Sequence, residues 1–537
     1  MFLNNDDLIN RVQWEQAGIN LPNFDRDAMI AATERTPQWV HFGAGNIFRA
    51  FPAALQQSLL EDGAADTGIV VAEAYDYEII ESLFRPRDNL SLLVTLKASG
   101  STEKTVIASV AEALAADCGH KDFSRLETIF QSASLQMVSF TITEKGYSLL
   151  GARGAFAPGV EEDFVKGPTA PVSYMGKVAA LMYRRYIGGT LPVTLVSMDN
   201  CSHNGDRLKE ALLTFARKWQ ETGHVDRGFS MYLENPALVA FPWSMIDKIT
   251  PRPDDSIKAM LQAEGLEGVE GRLTEKGSYI APFVNAEETQ YLVIEDTFPN
   301  GRPPLERVGV IFTQRETVDK VEKMKVCTCL NPLHTALAIF GCLLGYTKIY
   351  EEMKNPDLVK LIEIIGYKEG LPVVVDPGIL SPKKFIDAVI KIRLPNPFMP
   401  DSPQRIATDS SQKIPIRFGE TIKAYMASKT LEARDLQLIP LVLAAWLRYL
   451  MGIDDKKNAY APSPDPLLPD LVSRLSGLRL GQKGPFRSTL EPILEDRSIF
   501  GVNLYEAGLG EKVEQYFEEL IAGPGAVAAA LKKYTKQ

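Results

Sequence analysis

The chain has 537 residues, 45% hydrophobic and 23% charged, an ordinary globular composition that excludes a disordered chain, a collagen-like repeat and a disulfide scaffold. Its 68 acidic residues against 58 basic ones give a net charge of -10, which argues against non-specific binding to nucleic acid or an anionic membrane but leaves room for a locally basic pocket. Five scattered cysteines form no CxxC pair, so free thiols in a reducing cytoplasm are expected, with no zinc ribbon or redox motif.

The N-terminal segment MFLNNDDLINRVQWEQ lacks a basic region followed by an apolar stretch, so no signal peptide is expected. From about residue 38 to residue 250, β-branched runs alternate with helical stretches. QWVHFGAG, GIVVAEAYD, KTVIASV, QMVSFTIT and LPVTLVSMDN each end in small or polar residues. That alternation predicts a mainly parallel sheet, its strands buried on both faces.

VHFGAGNIFRAF (residues 40–51) follows the first strand and predicts a turn into a helix. A dinucleotide pyrophosphate needs close backbone approach, which Gly43 and Gly45 permit because they lack a Cβ. Ala44, Asn46 and Ile47 complete the segment, and the third glycine of the full fingerprint is replaced by Phe48. The second strand ends at Glu73 and Asp76, either of which could take the adenosine ribose hydroxyls and favour NAD over NADP. Further on, VSMDNCSHNGDRL closes a strand with Asp199, Asn200, His203 and Asn204, a cluster equally explained as an Asx turn and helix cap. MIDKITPRP places Asp247 and Lys248 among apolar residues.

A second β-rich piece covers residues 277–298, and a Pro- and Gly-rich joint follows at 299–309. Beyond it, apolar residues recur at three- and four-residue spacings, predicting helices. A boundary is expected near 310, giving an α/β domain over 1–310 and a mostly helical one over 311–537. The most apolar windows, residues 334–346 and 439–453, fall short of the ~18 residues that span a bilayer, so both are expected to be buried helices. KMKVCTCLNPLHTALAIFG (residues 323–341) gathers Lys323, Lys325, Asn331 and His334. Pro332 suits a first helical turn, with Asn331 as its cap.

Together, GAGNIFRAF, TEKGY, SMDN, MIDKITP and K…NPLH occur in the order found in the polyol-specific long-chain dehydrogenases, and the chain resembles that family from about residue 38 to 420. The resemblance implies a Rossmann-type domain, a helical domain, a site between them, NAD as cofactor, no metal, and a small-molecule polyol or sugar acid as substrate. The form NPLHTALAIFG is most similar to the fructuronate reductase branch, which interconverts D-mannonate and D-fructuronate. By resemblance, Asn331 and His334 fill the last positions of the catalytic K-x4-N-x2-H motif, and Asn200 is the second oxyanion-binding asparagine. Thr143 and Glu144 of TEKGY join the cofactor set, and Asp247, Arg405 and Lys413 contact substrate. Arg393 is a further candidate for a carboxylate, and Glu322 lies near the proton path.

The catalytic lysine departs from the motif by one residue. At 100° per residue, Lys325 lies about 180° from His334 on an ideal helix and Lys323 only about 20° away. Pro332 cannot donate to the carbonyl four residues back, so the extra residue can be absorbed as a π-bulge, which selects Lys325 with Lys323 as the alternative. A lysine becomes a useful base once burial and a neighbouring positive charge bring its pKa from about 10.4 towards 7–8. Tagaturonate reductase and mannitol 2-dehydrogenase chemistry are the competing activities. A catalytically inactive NAD-binding sensor is the competing class. A monomer or small homo-oligomer is expected.

Overall fold

The computed structural model describes residues 1–151 and 154–536. The chain divides into two compact units, one of Met1–Leu96 with Ser101–Asp319 and one of Lys97–Gly100 with Lys320–Gln537.

The first unit is organised by a six-stranded parallel sheet. Its strands are β1 (Trp39–Phe42), β2 (Ile69–Glu73), β3 (Val110–Ala115), β4 (Met137–Phe140), β5 (Val193–Ser197) and β6 (Val239–Ala240). They lie in the order β3-β2-β1-β4-β5-β6, every neighbouring pair parallel. The order reverses between β1 and β4, and the crevice beyond the carboxyl ends of these two strands is where such sheets bind dinucleotides. Val40 and Phe42 enter one core cluster and Trp39 the other. This explains why β1 is apolar on both faces apart from His41.

The expected strand KTVIASV is corrected. Residues 104–107 belong to Thr102–Ile107, which pairs antiparallel with Ser91–Leu96 in a separate four-stranded sheet. The chain turns at Ala108–Ser109 before β3 begins. The β-rich piece at 277–298 likewise feeds two sheets: Phe283–Glu287 pairs parallel with Ser91–Leu96, and Tyr291–Glu295 antiparallel with Ser244–Asp247.

The second unit is helical. Leu438–Leu450 is buried at every position and packs against Gly510–Leu520 and Asn331–Leu344. Its N-terminal N–H groups need acceptors, and the buried Glu369 carboxylate accepts from Gln437, Leu438 and Ile439 at 2.7, 2.7 and 2.8 Å. The apolar window at 334–346 is longer than expected. Residues Arg315–Leu344 run as one 30-residue helical stretch with a segment long and apolar enough to cross a membrane, yet 78% of that segment is buried in the fold. It serves as a core helix.

Five π-helical turns interrupt the described helices: Ile80–Phe84, Lys325–Cys329, Ile364–Gly370, Val389–Arg393 and Pro415–Gly419. Each begins at, or is followed within three residues by, a proline: Pro86, Pro332, Pro372, Pro395 and Pro415. A proline withholds one backbone donor and its ring presses on the preceding turn, and a wider turn relieves both.

Candidate active site

The dinucleotide side is built around the turn after β1. Gly43 has φ +104°, and a Cβ there would collide with the Thr141 carbonyl; only glycine fits without strain. Gly45 has ordinary dihedrals and open space where a Cβ would stand, so its bare backbone is available to a ligand. The helix that follows is short, Asn46–Ala50, because Pro52 starts a new one, Pro52–Glu61, after a kink at Phe51. Phe48, in place of the third glycine, stacks on His41 with ring centroids 4.4 Å apart. His41 is in turn held by the Ser139 and Thr141 hydroxyls at 2.6 and 2.8 Å, and burial lowers its pKa to about 3. The close helix–strand contact that a glycine would allow is replaced here by an aromatic spacer.

A cavity of about 590 Å³ opens beside this turn. Of the expected cofactor residues, Gly43, Gly45, Glu73, Asp76 and Thr143 line it, whereas Ala44, Asn46, Ile47 and Glu144 do not. Tyr75, Lys145 and Tyr174, which the sequence did not single out, also form its walls. Glu144 points elsewhere and pairs with Arg207 at 2.8 Å. Glu73 already accepts from the backbone N–H groups of Ala44, Tyr75 and Asp76 at 3.1, 2.9 and 3.3 Å. It therefore fastens the glycine turn to the end of β2, and burial pushes its pKa up. Asp76 accepts from the Thr274 hydroxyl at 2.6 Å.

Asp199 closes the β4 side of the crevice. Its carboxylate accepts from Ile142 and Thr143 N–H, each at 2.9 Å, and from the Tyr147 hydroxyl at 2.6 Å. This holds Thr143 at φ +63° and fixes the TEKGY helix, Thr143–Tyr147. Burial outweighs these bonds and raises the Asp199 pKa. Asn200 is exposed just beyond β5. Asn204 is structural: its amide donates to Ser197, Asp199 and Ser244, tying the Asn200 loop to Ser244–Asp247, the strand that ends in buried Asp247. Lys248 donates to the Glu287 carbonyl at 2.6 Å and the Gln290 side chain at 3.0 Å. His203 stacks on Trp243 at 4.1 Å, so neither residue needs a catalytic explanation.

In the helical unit, Lys325 opens a π turn and is buried, 2% exposed, whereas Lys323 is exposed. Leu330 N–H donates to the Lys325 carbonyl at 3.1 Å, five residues back. One extra residue in that turn cancels one 100° step. Lys325 therefore stands relative to His334 as a residue eight positions earlier would on a regular helix, about 80° away. Asn331 is the first residue of Asn331–Leu344 and Leu330 its cap, a one-residue correction.

His334 Nε2 is buried without a hydrogen bond, 3.4 Å from Asp401 Oδ2. Burial lowers the His334 pKa to about 4, opposed by Asp401 and reinforced by Arg417, Arg405 and Arg393. The ring is thus neutral near pH 7. Of the cations expected to meet substrate, Arg405 is exposed and paired with Asp401, and Lys413 donates to the carbonyls of Ile406 and Thr408. Arg393 is buried. The sequence missed Arg417, four residues beyond Lys413 in the π turn Pro415–Gly419. It donates to Thr335 Oγ1 at 2.5 Å, and Thr335 donates to the Asn331 carbonyl at 2.9 Å. A helical i, i+4 step from Lys413 was the available signal.

Comparison with known proteins agrees with the Rossmann-type and helical units. Residues 37–307 match the Mannitol dehydrogenase Rossmann domain and residues 317–521 the Mannitol dehydrogenase C-terminal domain. The chain is 54% identical over 535 residues to a D-mannonate oxidoreductase of Thermotoga maritima, covering 99% of each. It is 30% identical over 438 residues to the Escherichia coli protein of the same name, covering 80% of this chain and 83% of that one. Among solved structures it is similar to the ternary complex of Pseudomonas fluorescens mannitol 2-dehydrogenase with NAD and D-mannitol, at TM-score 0.69, 26% identity and full coverage of both chains. It is also similar to a substrate-free D-sorbitol dehydrogenase, at TM-score 0.77 and 25% identity, covering 99% of this chain and 100% of that one. The chain belongs to the mannitol dehydrogenase family, oxidoreductases that act on secondary alcohols of polyols and sugar acids.

Proposed function

We propose that this protein is an NAD-dependent D-mannonate oxidoreductase that interconverts D-mannonate and D-fructuronate. The observation that carries the substrate is the 54% identity, over 99% of both chains, to a protein of that name. NAD is preferred to NADP because the cavity wall at the end of β2 carries two carboxylates, Glu73 and Asp76, which repel a 2′-phosphate. The glycine turn and the cavity beside it fit a dinucleotide. When bound, NAD supplies the hydride acceptor for oxidation of the alcohol.

Lys325 is the general base and acid: it takes the hydroxyl proton in oxidation and returns it in reduction. Its burial and its place on the widened turn support this role. The Asn331 amide donates to the reacting oxygen, and the resemblance assigns Asn200 as a second donor; removing one such donor typically costs about 100- to 1,000-fold in rate. His334, neutral and unbonded at Nε2, orients a neighbouring substrate hydroxyl. Asp247 is a further substrate contact on the same resemblance.

NADH oxidation by the purified protein in the presence of EDTA, with D-fructuronate, D-tagaturonate and D-fructose and with NADPH in parallel, tests this reading. Preference for fructuronate with NADH is expected. Preference for fructose or tagaturonate replaces the substrate and keeps the lysine chemistry. NADH binding without turnover of any of the three favours the sensor.

A further inference from the structure

A sugar acid brings a carboxylate that a polyol lacks, and two of the cations expected to meet it, Arg405 and Lys413, are already engaged. Arg405 is paired with Asp401 and lies in solvent, its side chain 63% exposed. The Lys413 ammonium is held by two carbonyls of its own loop. Arg417 differs from both. It is half-buried and has no carboxylate partner among the described residues. Its one hydrogen bond there is to the Thr335 hydroxyl, although a guanidinium has five N–H donors in a planar fork. Desolvation lowers its pKa to about 10, with no carboxylate to oppose it, so it stays charged at neutral pH.

Its position is also informative. Thr335 follows His334, and its hydroxyl accepts from Arg417 while donating to the Asn331 carbonyl. One hydroxyl therefore separates the guanidinium from the backbone of Asn331. The π turn Pro415–Gly419 that carries Arg417 packs against the π turn Lys325–Cys329 that carries the lysine. A partly desolvated guanidinium with spare parallel donors is built to receive a planar anion in bidentate fashion.

Resting on the sugar-acid reading above, we propose that Arg417 is the specificity-determining residue that binds the substrate carboxylate, seated by Thr335. The measurement is the ratio of kcat/KM for D-fructuronate to that for D-fructose in the wild type, Arg417→Gln, Arg417→Lys and Thr335→Val. Loss of a charged hydrogen-bond pair should lower that ratio by roughly 10- to 100-fold in Arg417→Gln. The loss should appear in KM for fructuronate more than in kcat. Arg417→Lys should recover part of it, because charge returns without the fork. Thr335→Val should shift the ratio the same way by a smaller factor, and it decides the matter if Arg417→Gln does not fold. A wild type that prefers fructuronate, combined with variants that keep that ratio or lose both substrates equally, overturns the assignment of Arg417 alone. A wild type without preference for fructuronate overturns the sugar-acid reading and the assignment with it.

Discussion

The candidate site residues of the two units handle buried charge differently, although the helical unit also holds one buried carboxylate, Glu369, on three backbone N–H groups. In the dinucleotide unit, Glu73 and Asp199 are buried carboxylates whose oxygens are occupied by backbone N–H groups and a tyrosine hydroxyl. These bonds pin the glycine turn and the TEKGY helix in place. In the helical unit, His334 Nε2 and both Glu352 oxygens are buried without hydrogen bonds among the described residues, where Arg417 uses a single hydroxyl. The first arrangement fixes backbone so that a cofactor meets a rigid cradle. The second keeps hydrogen-bonding capacity in reserve, which costs stability and is worth keeping where a polar substrate supplies the missing partners.

The rigid cradle can be tested at its two glycines. Gly43→Ala must force a Cβ toward the Thr141 carbonyl at φ +104°, so it should cost about 1–3 kcal/mol of stability as well as NADH affinity. Gly45→Ala meets no protein atom and should lower NADH affinity while leaving the urea midpoint unchanged. Equal stability losses at both positions, by denaturation and NADH titration, would break the distinction between a folding glycine and a binding glycine.

A smaller effect is expected at Glu352, where burial alone holds the carboxyl pKa well above 4.5. The folded state then keeps its proton more tightly than the unfolded chain. That contribution is fully present below pH 4.5 and is lost as pH rises towards the raised folded-state pKa. Glu352→Gln removes the ionisation, so it should raise stability at pH 8 by about 1 kcal/mol and flatten the fall in stability above pH 4.5. A lower urea midpoint for the variant at pH 8 would show that Glu352 has a partner that matters.

The sequence disclosed these features unevenly, for physical reasons. The parallel sheet was legible because strands buried on both faces must be largely apolar. The break at the lysine was legible because Pro332 and a one-residue surplus before Asn331 both call for a wider turn, and the π turn at Lys325 meets both. The turn at Ala108–Ser109 that splits KTVIASV between two sheets was not legible, since pairing partners are set by tertiary packing. Glu73 has the right position for a ribose ligand, and only the fold reveals three N–H groups already bound to it. Arg405 and Arg417 look alike in sequence; what separates them is Asp401 beside one and, among the described residues, no carboxylate beside the other.

In the proposed mechanism Lys325, placed by its π turn, moves the proton and Lys323 does not. Steady-state turnover and NADH titration of Lys325→Ala and Lys323→Ala test it most directly. Turnover should fall by about 100- to 10,000-fold in Lys325→Ala, the range for losing a general acid–base group, with NADH affinity intact. Lys323→Ala should keep near wild-type rates. Full activity in Lys325→Ala, with loss in Lys323→Ala, would contradict the assignment.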